Sequence, residues 1–64
     1  MTLKERRFEK GMTQAELSRA AQCDQSNICR YEKGQGKPRP QVAKRLAEVL
    51  GCTVGELMKG FDET

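Results

Sequence analysis

Sixty-four residues, with twelve Lys and Arg against nine Asp and Glu and no His, allow one small domain near the lower limit of what folds without staples. No apolar run approaches the roughly 20 residues of a membrane-spanning helix, and no signal-type apolar core opens the chain, so a soluble cytoplasmic protein is expected. An enzyme is a poor reading, because there is no His, no evident nucleophile–base pair, and little room for a pocket in so small a domain.

Charge is uneven along the chain. Residues 1–23 hold five basic residues against three Glu, residues 24–45 hold six against two acids, and residues 46–64 hold one Lys against four acids. A basic front and an acidic tail suit a polyanion bound at one face, although scattered surface charge gives the same counts. Cys23, Cys29 and Cys52 are odd in number and lack CxxC spacing. Zinc with four N/S ligands would need carboxylates to complete it here, and a disulfide framework does not suit a cytosolic chain. No metal and no cofactor is expected. Cys23 and Cys52 read as small buried hydrophobes, and Cys29 lies beside an exposed helix face.

The pattern predicts a first helix from about Thr2 to Lys10, stopped by Gly11. Leu3 and Phe8 form its thin apolar arc, and Arg7 lies between them. A core-facing charge is costly unless paired. The matching oddity is Glu32, four residues after Ile28 on the buried face of a later helix. Arg7 and Glu32 are therefore read as an ion pair that clamps the first helix to the third; the competing reading is two snorkelling side chains.

Thr13 to Gly34 holds two short helices around the corner Ala21-Gln22-Cys23. Thr13-Gln14-Ala15-Glu16 has the spacing of a capping box, and Leu17 and Ala21 share the face behind it. Asp24 is a favoured cap for the next helix, which buries Ile28 and Tyr31. Met12 with Leu17, and Cys23 with Ile28, form a hydrophobic staple at each start. Two stapled helices joined by so short a corner describe a helix-turn-helix.

Opposite Ile28, Tyr31 and Glu32, the second of these helices presents Ser26, Arg30 and Lys33, with Gln25 and Asn27 at the flanks. Arg is bidentate to guanine, Gln or Asn to adenine, and Ser suits either. Any surface helix is polar outside; it is the corner and the charge distribution that give this face meaning.

Two Gly and two Pro between Glu32 and Pro40 end one helix and permit the next, with Pro40 in its first turn. Lys37 and Arg39 in this loop are candidate phosphate ligands, or solvated loop cations. A fourth helix follows to Leu50 with Val42, Leu46, Val49 and Leu50 on one stripe, and Gly51 stops it. Thr53-Val54-Gly55-Glu56 is another capping box, stapled by Cys52 and Leu57. It opens a short fifth helix expected to run through about Met58 and end at Gly60. The sum is an all-α five-helix domain over 1–60, its helix-turn-helix made by the second and third helices, with a short acidic tail at 61–64.

These residues carry a resemblance. Arg7, the run Thr13-Gln14-x-Glu16-Leu17, then Ile28-x-x-Tyr31-Glu32-x-Gly34, Lys37-Pro38 and Leu46-Ala47-x-x-Leu50-Gly51 resemble the phage-repressor and Cro type of helix-turn-helix protein (Xre-like, lambda-repressor-like) from Leu3 to Met58. The resemblance implies base contacts from Gln25 and Ser26 and, one turn on, Arg30. It implies that Gln14 holds a phosphate and braces the first recognition residue, and a buried Arg–Glu pair is familiar in the family. Departures are Gln22 where Gly is usual, which would strain a left-handed corner, Ser18 for a small apolar residue, Asp24 for a Ser or Thr cap, and Arg6 for an aliphatic one.

The function implied is sequence-specific binding of double-stranded DNA by a Cro- or repressor-type transcriptional regulator, in the cytoplasm of a prokaryotic or phage-infected cell. Gln25, Ser26, Asn27 and Arg30 would read bases in the major groove, while Thr13, Gln14, Lys33, Lys37 and Arg39 would hold phosphates. A single module of this size buries little DNA surface, so a homodimer on a near-palindromic operator is expected. Val54, Met58 and Phe61 are candidates for its surface, or simply the last wall of the core. The alternative is an antitoxin-like or accessory subunit that docks a protein with the same fold.

Overall fold

Helix starts dictate this fold, and the same four-residue lock makes three of them. At Thr13, Oγ1 accepts from the Glu16 N–H at 3.1 Å while Glu16 Oε1 accepts from the Thr13 N–H at 2.9 Å. Thr53 and Glu56 close in the same way at 3.0 Å in both directions. A third box, not expected from the sequence, joins Thr2 and Glu5 at 2.7 and 3.2 Å. Each of these carboxyls is held below its ordinary pKa by the backbone N–H and then the hydroxyl of its threonine.

The computed structural model describes residues 1–62. Among them the chain forms five helices and no strand: α1 Leu3–Glu9, α2 Gln14–Ala20, α3 Gln25–Glu32, α4 Pro40–Leu50 and α5 Val54–Asp62. The largest fully buried side chains are Leu17, Ile28, Leu46 and Leu57, one from each of α2 to α5. Met12, Cys23 and Cys52 pack at the rim of this core, where the staples need them. On α4, Ala43 and Ala47 join Leu46 and Leu50 in the buried stripe, while Val42 and Val49 stand half-buried beside it. Gly51 closes α4 in the left-handed conformation, φ 72°. None of the described helices is long and apolar enough to cross a membrane.

The structure corrects the sequence at three places. Phe8 is 60% exposed, and α1 buries Leu3 and Arg7 instead. At 100° per residue Arg7 lies only about 40° round from Leu3, whereas Phe8 lies about 140° away. Its ring covers the Arg7 guanidinium, with Cζ 4.7 Å from the centroid, and Lys4 Nζ stands 5.6 Å from the same ring. Phe8→Ala is therefore expected to lower stability by about 0.5–1 kcal/mol through the lost cation–π contact. Urea unfolding measures this, and an unchanged midpoint would deny the ring that role.

Second, α5 does not stop at Gly60. It continues through Phe61 to Asp62, so these two residues belong to the helix rather than to a tail; Glu63 and Thr64 lie outside the described residues. A methyl group at Gly60 would overlap the Met1 carbonyl oxygen. The missing side chain thus serves the approach of α5 to the N-terminus, not termination. Phe61 packs edge-on against Tyr31, centroids 6.2 Å apart at 89°.

Third, Asp24 has the extended backbone of an N-cap, but its side chain makes no cap hydrogen bond. Burial, then the Asp24 charge, raises the neighbouring Cys23 thiol. All three cysteines are free thiols.

Candidate nucleic-acid interface

The interface is built outward from one buried carboxylate. Arg7 Nε donates to Glu32 Oε2 at 2.6 Å and Arg7 Nη2 to Glu32 Oε1 at 3.1 Å, a two-point contact between side chains that are 8% and 5% exposed. The remaining guanidinium nitrogen, Nη1, donates to the Met12 carbonyl at 2.8 Å. Burial by itself would raise the Glu32 carboxyl. The hydrogen bonds from Arg7 and Gln14, with the charges of Arg7 and Lys4, outweigh it and leave the group below its ordinary pKa. One ion pair therefore fixes α1, the start of α2 and the end of α3 together.

The corner between α2 and α3 sets how α3 leaves the core. Gln22 adopts φ 55°, a left-handed conformation that costs a non-glycine residue free energy. Three contacts hold it: Gln22 N–H donates to the Arg19 carbonyl at 3.3 Å, Cys23 N–H to the Ser18 carbonyl at 2.9 Å, and Arg45 Nη1 to the Gln22 carbonyl at 3.3 Å. Ser18 is 6% exposed, and its hydroxyl is satisfied by the Ala15 carbonyl at 2.8 Å. That bond is what makes a polar residue acceptable in this contact. Arg6 lies half-buried by α5, where its Nη2 donates to the Glu56 carbonyl at 3.4 Å while Nε is buried without a partner among the described residues.

With its C-terminal end clamped, α3 turns Gln25, Ser26, Arg30 and Lys33 to solvent. Asn27 is half-buried at the flank. It lines, with Arg30, Gln35, Lys37 and Arg39, a cleft of about 450 Å³ between α3, the loop and the start of α4. The structure thus gathers three sequence-predicted cations, Arg30, Lys37 and Arg39, round one groove; Gln25 and Ser26 stand at the other end of α3. Gln35, which the sequence did not single out, follows Gly34 in the turn whose Gln35 N–H donates to the Arg30 carbonyl at 2.9 Å. A Gly in that turn, φ 74°, was the available signal.

At the start of α2, the Thr13 N–H and Oγ1 are both engaged with Glu16. Gln14 Nε2 donates to Glu32 Oε1 at 3.0 Å. On α5, Val54 is 39% exposed, whereas Met58 and Phe61 pack against the core. No group of three or more Cys, Asp or Glu side chains among the described residues is placed to hold a metal ion.

Comparison with known proteins agrees with this geometry. A family described as helix-turn-helix matches residues 3–57. An uncharacterised HTH-type transcriptional regulator of Bacillus subtilis (strain 168), YqaF, is 43% identical over 49 residues, which cover 77% of this chain and 64% of that protein. The chain therefore spans slightly less than two thirds of that relative's length. No solved structure matches the chain. With α2 and α3 joined at the Gln22 corner and the match running from α1 into α5, the chain belongs to the helix-turn-helix family of the phage-repressor and Cro type, the Xre-like proteins.

Proposed function

We propose that the protein is a sequence-specific double-stranded DNA-binding transcriptional regulator. One observation carries this reading: the exposed stripe of Ser26, Arg30 and Lys33 on a clamped helix runs directly into the cleft lined by Lys37 and Arg39. Eight residues make α3 about 12 Å long, comparable with the ~12 Å width of a major groove. Gln25, Ser26 and Arg30 would meet base edges, with Asn27 at the groove wall. Lys33, Lys37, Arg39 and the start of α2 at Thr13 and Gln14 would hold phosphates, which position the protein without specifying sequence.

Two copies on a near-palindromic operator would double the buried DNA surface, with half-sites about one helical turn apart. They would meet through the α5 stripe on which Val54 is the exposed apolar member and Met58 and Phe61 follow. Such a regulator works in the cytoplasm, on the chromosome or on phage DNA.

Salt dependence tests the reading. For a duplex binder, log K falls by roughly 0.9 per neutralised phosphate against log salt. Lys37→Ala is expected to weaken all duplexes about equally and to flatten that slope by about one phosphate. Should duplexes leave the amide spectra of Gln25 through Lys33 unmoved in dilute buffer, the reading fails, and protein partners become the object of search.

A further inference from the structure

The bond from Gln14 to Glu32 is not needed to neutralise the carboxylate, since Arg7 already does so through two nitrogens. We infer that Glu32 is a positioning residue for the interface: it commits one of the two Nε2 hydrogens of Gln14 and so presents the other to a backbone phosphate. This rests on the duplex-binding reading above.

The geometry is specific about orientation. Glu32 Oε1 accepts from both Arg7 Nη2, at 3.1 Å, and Gln14 Nε2, at 3.0 Å, while Oε2 takes Arg7 Nε. A side-chain amide has one accepting end and one donating end with two hydrogens. Turned over, Gln14 would set its carbonyl oxygen against a carboxylate that is 5% exposed, and the two acceptors would repel with little water between them. The buried charge therefore decides which end of the amide faces inward. An amide with no such neighbour turns either end outward, and its oxygen repels a phosphate.

Glu32 is also well chosen to do this without harming affinity. Its charge is neutralised by Arg7 through two bonds, and its side chain is only 5% exposed. Lys33, the next residue, is exposed at the same end of α3, so a phosphate held by Gln14 would have a cation close by. The pair thus converts the packing of α1 on α3 into the orientation of a donor on α2.

A cycle of variants separates this from a purely structural role. Replacing both members, Arg7→Met with Glu32→Met, removes the charges together, a change that cores often tolerate, and deletes the acceptor for Gln14. Dissociation constants for one duplex would be measured for the wild type, Gln14→Ala, the double-methionine protein and the triple variant, each at a temperature where circular dichroism shows it folded. Gln14→Ala is expected to weaken binding about fivefold in the wild type, the worth of about one hydrogen bond. In the double-methionine background it should change binding by less than that, under about twofold. Equal losses in both backgrounds would overturn the inference.

If the double-methionine chain does not fold, nitrogen relaxation of the Gln14 side-chain amide in the free wild type decides. An order parameter above about 0.6 supports the assignment, and one at or below that value, the range of flexible groups, overturns it. A wild type that binds no duplex in dilute buffer removes the partner and refutes the duplex-binding reading itself, an outcome distinct from equal losses in the cycle.

Discussion

Arg7→Ala is expected to lower stability by about 3–5 kcal/mol, because it strips the buried Glu32 carboxylate of the two guanidinium bonds that pair it. The Glu32 side chain is 5% exposed with Arg7 in place. Domains hold roughly 0.05–0.15 kcal/mol per residue, which makes this loss comparable with the whole stability of a chain of 64 residues. The variant should be largely unfolded at room temperature by circular dichroism. Replacing both members with methionine should cost far less, since no charge is then stranded.

The same pair gives stability a pH dependence of defined sign. The Glu32 carboxyl lies below its ordinary value in the folded protein. Its contribution is therefore fully present above the unfolded-state pKa, about 4.3, and is lost as pH falls through the folded value. Stability should be flat near neutrality and fall in acid, and the double-methionine protein should fall less steeply. What remains of its acid slope would come from Glu5, Glu16 and Glu56, whose carboxyls are also held low by their threonines. Identical acid slopes in the two proteins would show that Glu32 is not the group responsible.

Arg30→Ala is expected to weaken the preferred duplex by about 1–3 kcal/mol and to relax preference at one base pair. Arg30 merits this test because it stands at a boundary. It belongs to the exposed stripe of α3, yet it also lines the cleft shared with Lys37 and Arg39. A base contact would be lost on the preferred site alone, whereas a phosphate contact would be lost on every sequence. Selection from a random duplex library supplies the preferred site, and a scrambled duplex supplies the comparison. If Arg30→Ala weakened both equally, Arg30 would be one more phosphate ligand, and base reading would rest on Gln25 and Ser26.

Much of the fold was legible because its determinants are local. A Thr followed three residues later by Glu closes a helix start wherever it occurs, and the Leu46–Leu50 stripe needs only a period of 3.6 to be read. The helix-turn-helix followed from one such start at Thr13, a hydrophobic staple at each entry, and a short corner. What failed to show depended on contacts between distant elements. Phe8 counts as apolar in any periodic pattern, yet the arc of α1 that meets the core is fixed by Leu3 and by the need of Arg7 for Glu32. Gly60 reads as a helix stop until the Met1 carbonyl is known to lie against it. At the candidate site, residue types on α3 were readable from the helical wheel. The grouping of Asn27 and Gln35 with the three cations was not, because it depends on how the loop after α3 folds back.

The locked helix starts of α1, α2 and α5 each spend a glutamate, whereas α3 and α4 have no acidic residue in the first turn and no side-chain cap. The elements that frame the basic groove are thus the ones denied the commonest local reinforcement. At α3 the N-cap Asp24 already brings a negative charge without its hydrogen bond; at α4, where Arg39 is the N-cap, a negative group would strengthen the helix and repel a phosphodiester chain at once. At the start of α4, thermal robustness and attraction for a polyanion compete for one position, and a cation, Arg39, holds it.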